Sequence, residues 1–126
     1  MIEGAMAYGL VWIPPGELAD RISILEIKRE KSYCDPNELA DLHNQWDQIG
    51  LGRDYIDQLK GINLEAWDCV DQIYNFFDSD EFSVNYMEQA TVCRKAHQLN
   101  KQRVTLKNQI NAALGVDRKE VKTWKA

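Results

Sequence analysis

PPGELADRISILEIKREK, residues 14–31, is the stretch on which the reading of the fold turns. Pro14 and Pro15 end whatever precedes them, because proline fixes φ and drives its predecessor out of the α region. Pro15 still opens a helix well, since the first helical N–H has no partner to lose. At about 100° per residue, Leu18, Ile22 and Leu25 share one side of that helix, while Ile24 and Ile27 lie well round from it. Glu17, Arg21 and Lys28 fall in the gap between the two apolar sectors. A surface helix keeps its charges opposite its apolar stripe. The spacing therefore predicts a helix to about Lys31 whose charges reach toward the interior of a bundle.

Working outward, Gly4, Gly9 and GLVWIP before this helix read as a short extended arm. After it, SYCD is a break, and Asp35-Pro36 with Glu38 is a strong start signal: an N-cap acid, a first-turn proline and an acid three residues on. Leu39, Leu42, Trp46 and Ile49 then recur at helical spacing until GLG at 50–52 stops them. From Asp54 the pattern resumes as Tyr55, Leu59, Ile62, Ala66, Val70, Ile73 and Phe77. Gly61 interrupts it at a cost of about 1 kcal/mol relative to alanine, so either one long helix or a kink is expected. DSDEFS is the next turn, with Asp80 or Ser83 as cap. The last helix carries Val92, Ala96, Leu99, Leu106, Ile110 and Ala113, and Gly115 is its stop. Val121 and Trp124 give the tail something to pack. The sum is an all-α, antiparallel four-helix bundle with two long C-terminal helices, a single domain over 1–126.

Composition agrees with that class and excludes others. With 126 residues, 44% apolar and 28% charged, the chain is that of a globular domain large enough for a real core. A net charge of -5 speaks against general attraction to nucleic acid or anionic membrane. No stretch approaches the ~20 apolar residues of a membrane-spanning helix, and AMAYGLVWIPP lacks the basic flank of a signal peptide. Cys34, Cys69 and Cys93 form no CxxC pair, so reduced thiols in a cytoplasmic protein are expected.

The last helix repeats the anomaly of the first. Arg103 projects from the Val92–Leu99–Leu106–Ile110 sector, with Asn100 and Lys107 at its edge. Unpaired buried charge costs several kcal/mol, so these groups need partners. One reading is an internal lattice, with Glu17 four residues before Arg21 and Glu26, Asp71 or Glu120 serving the others. The sharper reading is a pocket in which Arg21, Lys28 and Arg103 grip a carboxylate or phosphate, the contact to which arginine is best suited.

Other constellations are weaker. Glu38 with Asp41 and Glu65 with Asp68 are ExxD pairs like those with which all-α pyrophosphohydrolases of the MazG type hold Mg²⁺, but solvated helix faces account for all four. His43 and His97 stand alone, so no zinc site is expected. Tyr74, Phe76, Phe77, Phe82 and Tyr86 surround one turn and read as core and corner packing rather than a stacking platform for bases.

GELADRISILEIK at 16–28, EAWDCVDQIY at 65–74, LNKQRVTLKNQIN at 99–111 and EVKTW at 120–124 together resemble a small uncharacterised family of helical bacterial and phage-borne proteins. The resemblance spans nearly all of residues 13–124. The middle motif departs from the family pattern at Cys69, Val70 and Tyr74. The family implies a helical domain found alone or beside tetratricopeptide-repeat and glycosyltransferase-like modules, without an established activity. Its polar motif positions correspond to Glu17, Asp20, Arg21, Glu26, Lys28, Trp67, Asp68, Asn100, Arg103, Lys107, Glu120 and Lys122.

The leading expectation is a non-enzymatic or accessory domain that binds a small anionic ligand or a partner protein, without cofactor or metal. Arg21, Lys28, Arg103 and Lys107 would supply charge, and Glu17 and Asn100 would position them. The alternative is a small all-α enzyme on a dianionic or nucleotide substrate, working by electrostatics like chorismate mutases or as a Mg²⁺-dependent pyrophosphohydrolase. A homodimer completing the core between the long helices is a third possibility.

Overall fold

The boundary signals at Asp35 and Gly50 each meet a backbone group that needs them. The computed structural model describes residues 13–77 and 86–116. The N-terminal arm, the DSDEFS turn with Asp80 and Ser83, and the tail with Glu120, Val121 and Trp124 lie outside the described residues. Helix α1 spans Pro15–Lys31, with proline in its first turn and Lys28, Arg29 and Lys31 in its last. Cations there complement the partial negative charge of the helix C-terminus. Helix α2 spans Pro36–Ile49; the Asp35 side chain accepts from the Asn37 N–H at 2.9 Å. It ends on Gly50 in the left-handed region (φ 80°), a conformation glycine adopts without strain. Helix α3 runs unbroken through Gly61 from Asp54 to Phe77, and α4 spans Tyr86–Ala113.

All four described elements are α-helices, and they pack as a bundle. Helix α1 contacts each of the others, α3 and α4 pack along one another, and α2 lies on α1. Gly16 meets Asn111, Glu17 meets Lys107, and Asp20 meets Arg103. Those pairs step in opposite directions, so α1 and α4 are antiparallel. The main core gathers Leu18, Ala19 and Ile22 of α1, Leu39 and Trp46 of α2, Ile56 and Leu59 of α3, and Leu106 and Ile110 of α4. Fully burying one such aliphatic side chain contributes ~1.5–3 kcal/mol. A second cluster holds Cys69, Val92 and Leu99 between α3 and α4 alone. No helix among the described residues is long and apolar enough to cross a membrane.

The apolar sectors of α1 join around the opposite side of the helix from the one the charges occupy. Gly16, Ala19, Ser23 and Glu26 fill that arc and are buried, whereas Arg21 and Lys28 point to solvent. The reason is close approach. A Cβ on Gly16 would stand 2.3 Å from the Lys107 carbonyl oxygen, so the α1 and α4 backbones touch there. The Gly16 N–H, one of the donors left over at a helix start, donates to Asn111 Oδ1 at 2.8 Å.

Two glycine substitutions should therefore have opposite signs. Gly16→Ala forces the backbones apart and is expected to destabilise by about 1–3 kcal/mol. Gly61 is exposed in mid-helix with nothing near its missing Cβ, so Gly61→Ala should stabilise by about 1 kcal/mol. Urea unfolding of both variants checks the pair.

Candidate functional site

Two charge networks radiate from α1. Asp20 is 1% exposed and faces both α3 and α4. Arg103 of α4 meets it with two prongs, Nε to Oδ1 at 3.0 Å and Nη2 to Oδ2 at 2.8 Å. From α3, Asn63 Nδ2 donates to Asp20 Oδ1 at 3.0 Å and to Ser23 Oγ at 2.8 Å. A carboxylate only accepts, which fixes the nitrogen of the Asn63 amide on this side. Ser23 Oγ in turn donates to the Asp20 carbonyl at 2.7 Å. Lys107 Nζ donates to Glu17 Oε2 at 2.8 Å and lies 3.9 Å from Asp20 Oδ2. Arg21 Nε donates to the other Glu17 oxygen at 3.3 Å, and Arg103 Nη1 donates to Asn100 Oδ1 at 3.2 Å. Burial pushes the Asp20 carboxyl up, but Arg103, Asn63 and Lys107 outweigh it and hold it below its ordinary value. Glu17 is lowered too, by Lys107 above all.

Glu26, also 1% exposed, organises the second network with α2 and α3. Arg53 donates Nη1 to Oε2 at 2.6 Å and Nη2 to Oε1, and its Nε donates to Asp57 at 2.9 Å. His43 Nε2 stands 2.9 Å from Oε2 and must carry the proton, since the ionised carboxylate cannot donate. Lys60 donates to Glu26 Oε1 at 3.4 Å and to Glu30. Burial raises Glu26, yet Arg53, His43 and Lys60 bring its carboxyl down to about 2. Its partners respond in kind: Glu26 raises Arg53, and Glu30 raises Lys60.

Glu17, Arg21, Asn100, Arg103 and Lys107 thus belong to one connected network of hydrogen bonds and ion pairs, although Arg21 points to solvent rather than inward. Lys28 does not; it is exposed on the last turn of α1. The cations gather on Glu17 and Asp20, and Arg21 keeps a side chain 54% exposed. Helical periodicity missed Asp20 as the hub, and it missed Arg53, His43 and Lys60 around Glu26. The small residues Gly16, Ala19 and Ser23, at three- and four-residue steps, were the available sign of which arc of α1 packs tightest. Glu38, Asp41, Glu65 and Asp68 are exposed. Among the described residues no three His, Cys, Asp or Glu side chains are placed to hold a metal ion. Cys34 and Cys69 are buried free thiols, whereas Cys93 and His97 are exposed.

A different surface emerges on α3. Ile56, Leu59 and Asn63 lie on one face of this helix and are buried beneath α1. The same face continues as Trp67 and Val70, which Ile24 and Lys31 of α1 still approach on one side, and then as Tyr74 and Phe77. There Val70 is 46% exposed, Tyr74 64% and Phe77 66%, where the sequence pattern led us to expect core and corner packing. Tyr86 at the start of α4 is exposed as well. Ile24 of α1 with Asn63, Ala66, Trp67 and Val70 of α3 lines an almost wholly apolar groove of about 330 Å³. The Lys31 ammonium stands 5.9 Å from the centre of the Trp67 ring, within cation–π reach.

Comparison with family models, with curated proteins and with solved structures finds no match to this chain.

The Glu26 cluster sets a pH window. Its carboxyl titrates near 2 in the folded chain against an ordinary 4.5. Its contribution is complete above the higher value and is lost as pH falls toward the lower one. Asp20 and Glu17 shift in the same direction. The melting temperature is expected to fall as pH drops from about 5 to 2, and Glu26→Gln should both lower it at neutral pH and flatten that fall. Thermal unfolding followed by circular dichroism across this range reads both effects.

Proposed function

We propose that this chain is a non-catalytic interaction domain whose docking surface is the face of α3 that α1 leaves uncovered. The observation that carries this reading is the continuity of one helix face. Ile56, Leu59 and Asn63 are buried, Trp67 is half-buried, and Val70, Tyr74 and Phe77 extend the row into solvent. Contiguous exposed apolar surface on a folded domain marks an interaction site, and Tyr and Trp are the side chains that dominate binding energy at such sites. The charged groups support the same reading. Arg53, Lys60, Arg103 and Lys107 all bind carboxylates that the fold itself buries or shields, so they serve first to hold the helices together.

A second reading, anion binding at Arg21, is favoured by one feature. Glu17 serves two cations, Lys107 and Arg21, and the second of these remains more than half exposed. An anion bound there would raise the melting temperature as RT ln(1 + [L]/Kd).

Two experiments separate the readings. The triple variant Val70→Ser, Tyr74→Ser, Phe77→Ser alters exposed side chains and is expected to retain the helical spectrum, with each change costing within about 0.5 kcal/mol. It should also bind less of an apolar-surface dye such as anilinonaphthalene sulfonate than the wild type does, at a protein concentration where the wild type is monomeric. Loss of the helical spectrum in the variant would mean the row is core and would defeat the docking reading. Inorganic phosphate should raise the wild-type melting temperature, and fail to do so in Arg21→Met, only if the second reading holds.

A further inference from the structure

We infer that the occupant of this face is a second copy of the chain, docked through α3 about a two-fold axis at Val70; the inference rests on the docking reading above. A two-fold interface must be complementary to itself, so that whatever one copy offers, the other receives. The α3 face carries both halves of such a contact one turn apart. The groove of Ile24, Asn63, Ala66, Trp67 and Val70 is the receiving half. Tyr74, 64% exposed and projecting from the same row, is the inserting half. Tyr74 and Ala66 each stand four residues from Val70. Antiparallel pairing of α3 with its mate about Val70 therefore sets each Tyr74 opposite the other copy's Ala66, at the groove.

Polar chemistry agrees with that register. Asn63 is 8% exposed and commits its amide protons to Asp20 and Ser23. Its Oδ1 is then what it has left to offer an occupant, and among the described residues nothing donates to that oxygen. A tyrosine fits this groove because it brings an apolar ring with one O–H donor at the tip, and a buried phenol needs such an acceptor. Charge follows as well. Lys31 stands over Trp67 on one flank of the groove. Asp71, exposed and one residue past Val70, comes from the mate toward that same flank. The basic end of α1 in one copy thus meets the acidic flank of α3 in the other, twice by symmetry.

Sedimentation or light scattering over a range of concentrations tests this directly. The wild type is expected to be a dimer at micromolar concentration. Tyr74→Ser should weaken dimerisation roughly 30-fold or more, the loss of a central aromatic anchor. Lys31→Glu and Asp71→Lys should each weaken it several-fold, and the two together should restore it. In a Cys93→Ser background, Val70→Cys on the axis should form a disulfide-linked dimer under mild oxidation, whereas Gln72→Cys on another face of α3 should not. A wild type that remains monomeric at every concentration, while still binding the apolar dye at this face, overturns the self-docking inference and leaves the docking reading standing. A dimer that survives Tyr74→Ser and shows no charge-swap rescue also overturns it, because its contact lies elsewhere. A wild type that is monomeric at every concentration and binds no dye at this face removes both.

Discussion

The pairing of Asp20 with Arg103 is the constraint around which the bundle is arranged. Asp20 is almost without solvent, and a carboxylate in that position tolerates no loose geometry. Its two oxygens are met by a guanidinium from α4, an amide from α3 and, more distantly, an ammonium from α4. Three helices must reach their final register before all of these contacts exist together. Sliding α1 by one turn along α4 would separate Asp20 from Arg103 and drive Gly16 off the Lys107 carbonyl in one motion. Buried ion pairs contribute little net stability against an apolar replacement of similar shape, but breaking one by removing a partner is severe. Their effect here is to make one alignment of α1 acceptable.

Glu26 repeats the device on the other side of α1, with Arg53 and Lys60 from α3 and its N-terminal approach, and His43 from α2. The buried acids of the central helix, Asp20 and Glu26, thus each meet bases from its neighbours, while the bases of α1 itself lie on its exposed side and last turn. This organisation bears on function. Cations that neutralise buried acids are poorly available to a ligand, because withdrawing one leaves an uncompensated charge in the interior. Val70 and Tyr74 on α3 are exposed and belong to neither charge network, so the docking proposed there would leave the buried ion pairs intact.

The sequence made the helices legible and their rotation only partly so. Asp35-Pro36, Gly50 and Gly115 marked ends that the structure also has, because each satisfies a local need of the backbone. Gly61 left open whether α3 continues as one helix, and it does, since a helix held by packing on two sides tolerates a weak link. Arg103 and Lys107 were visible as inward-reaching cations because they interrupt an apolar row. The orientation of α1 was harder, because its two apolar sectors can be joined around either side of the helix. Which arc is buried depends on how near another backbone comes at Gly16, a tertiary fact. The row from Val70 to Phe77 shows the same limit. Periodicity identifies an apolar face, but whether another helix covers it depends on where that helix stops.

That last point has a consequence for motion. Helix α1, at 17 residues, measures about 25 Å, and α3, at 24, about 36 Å. The α3–α4 pair consequently overhangs its clamp, and among the described residues the overhang is sealed by the small Cys69–Val92–Leu99 cluster with Ile73, Phe76 and Ala96 packed against it. Free energies of local opening follow buried apolar contact, so amide protons should exchange with solvent along a gradient, slowest beside Asp20 and fastest toward Phe77 and Tyr86. Anything that seats itself on the overhang would level this gradient and make the far end as slow to open as the clamped one.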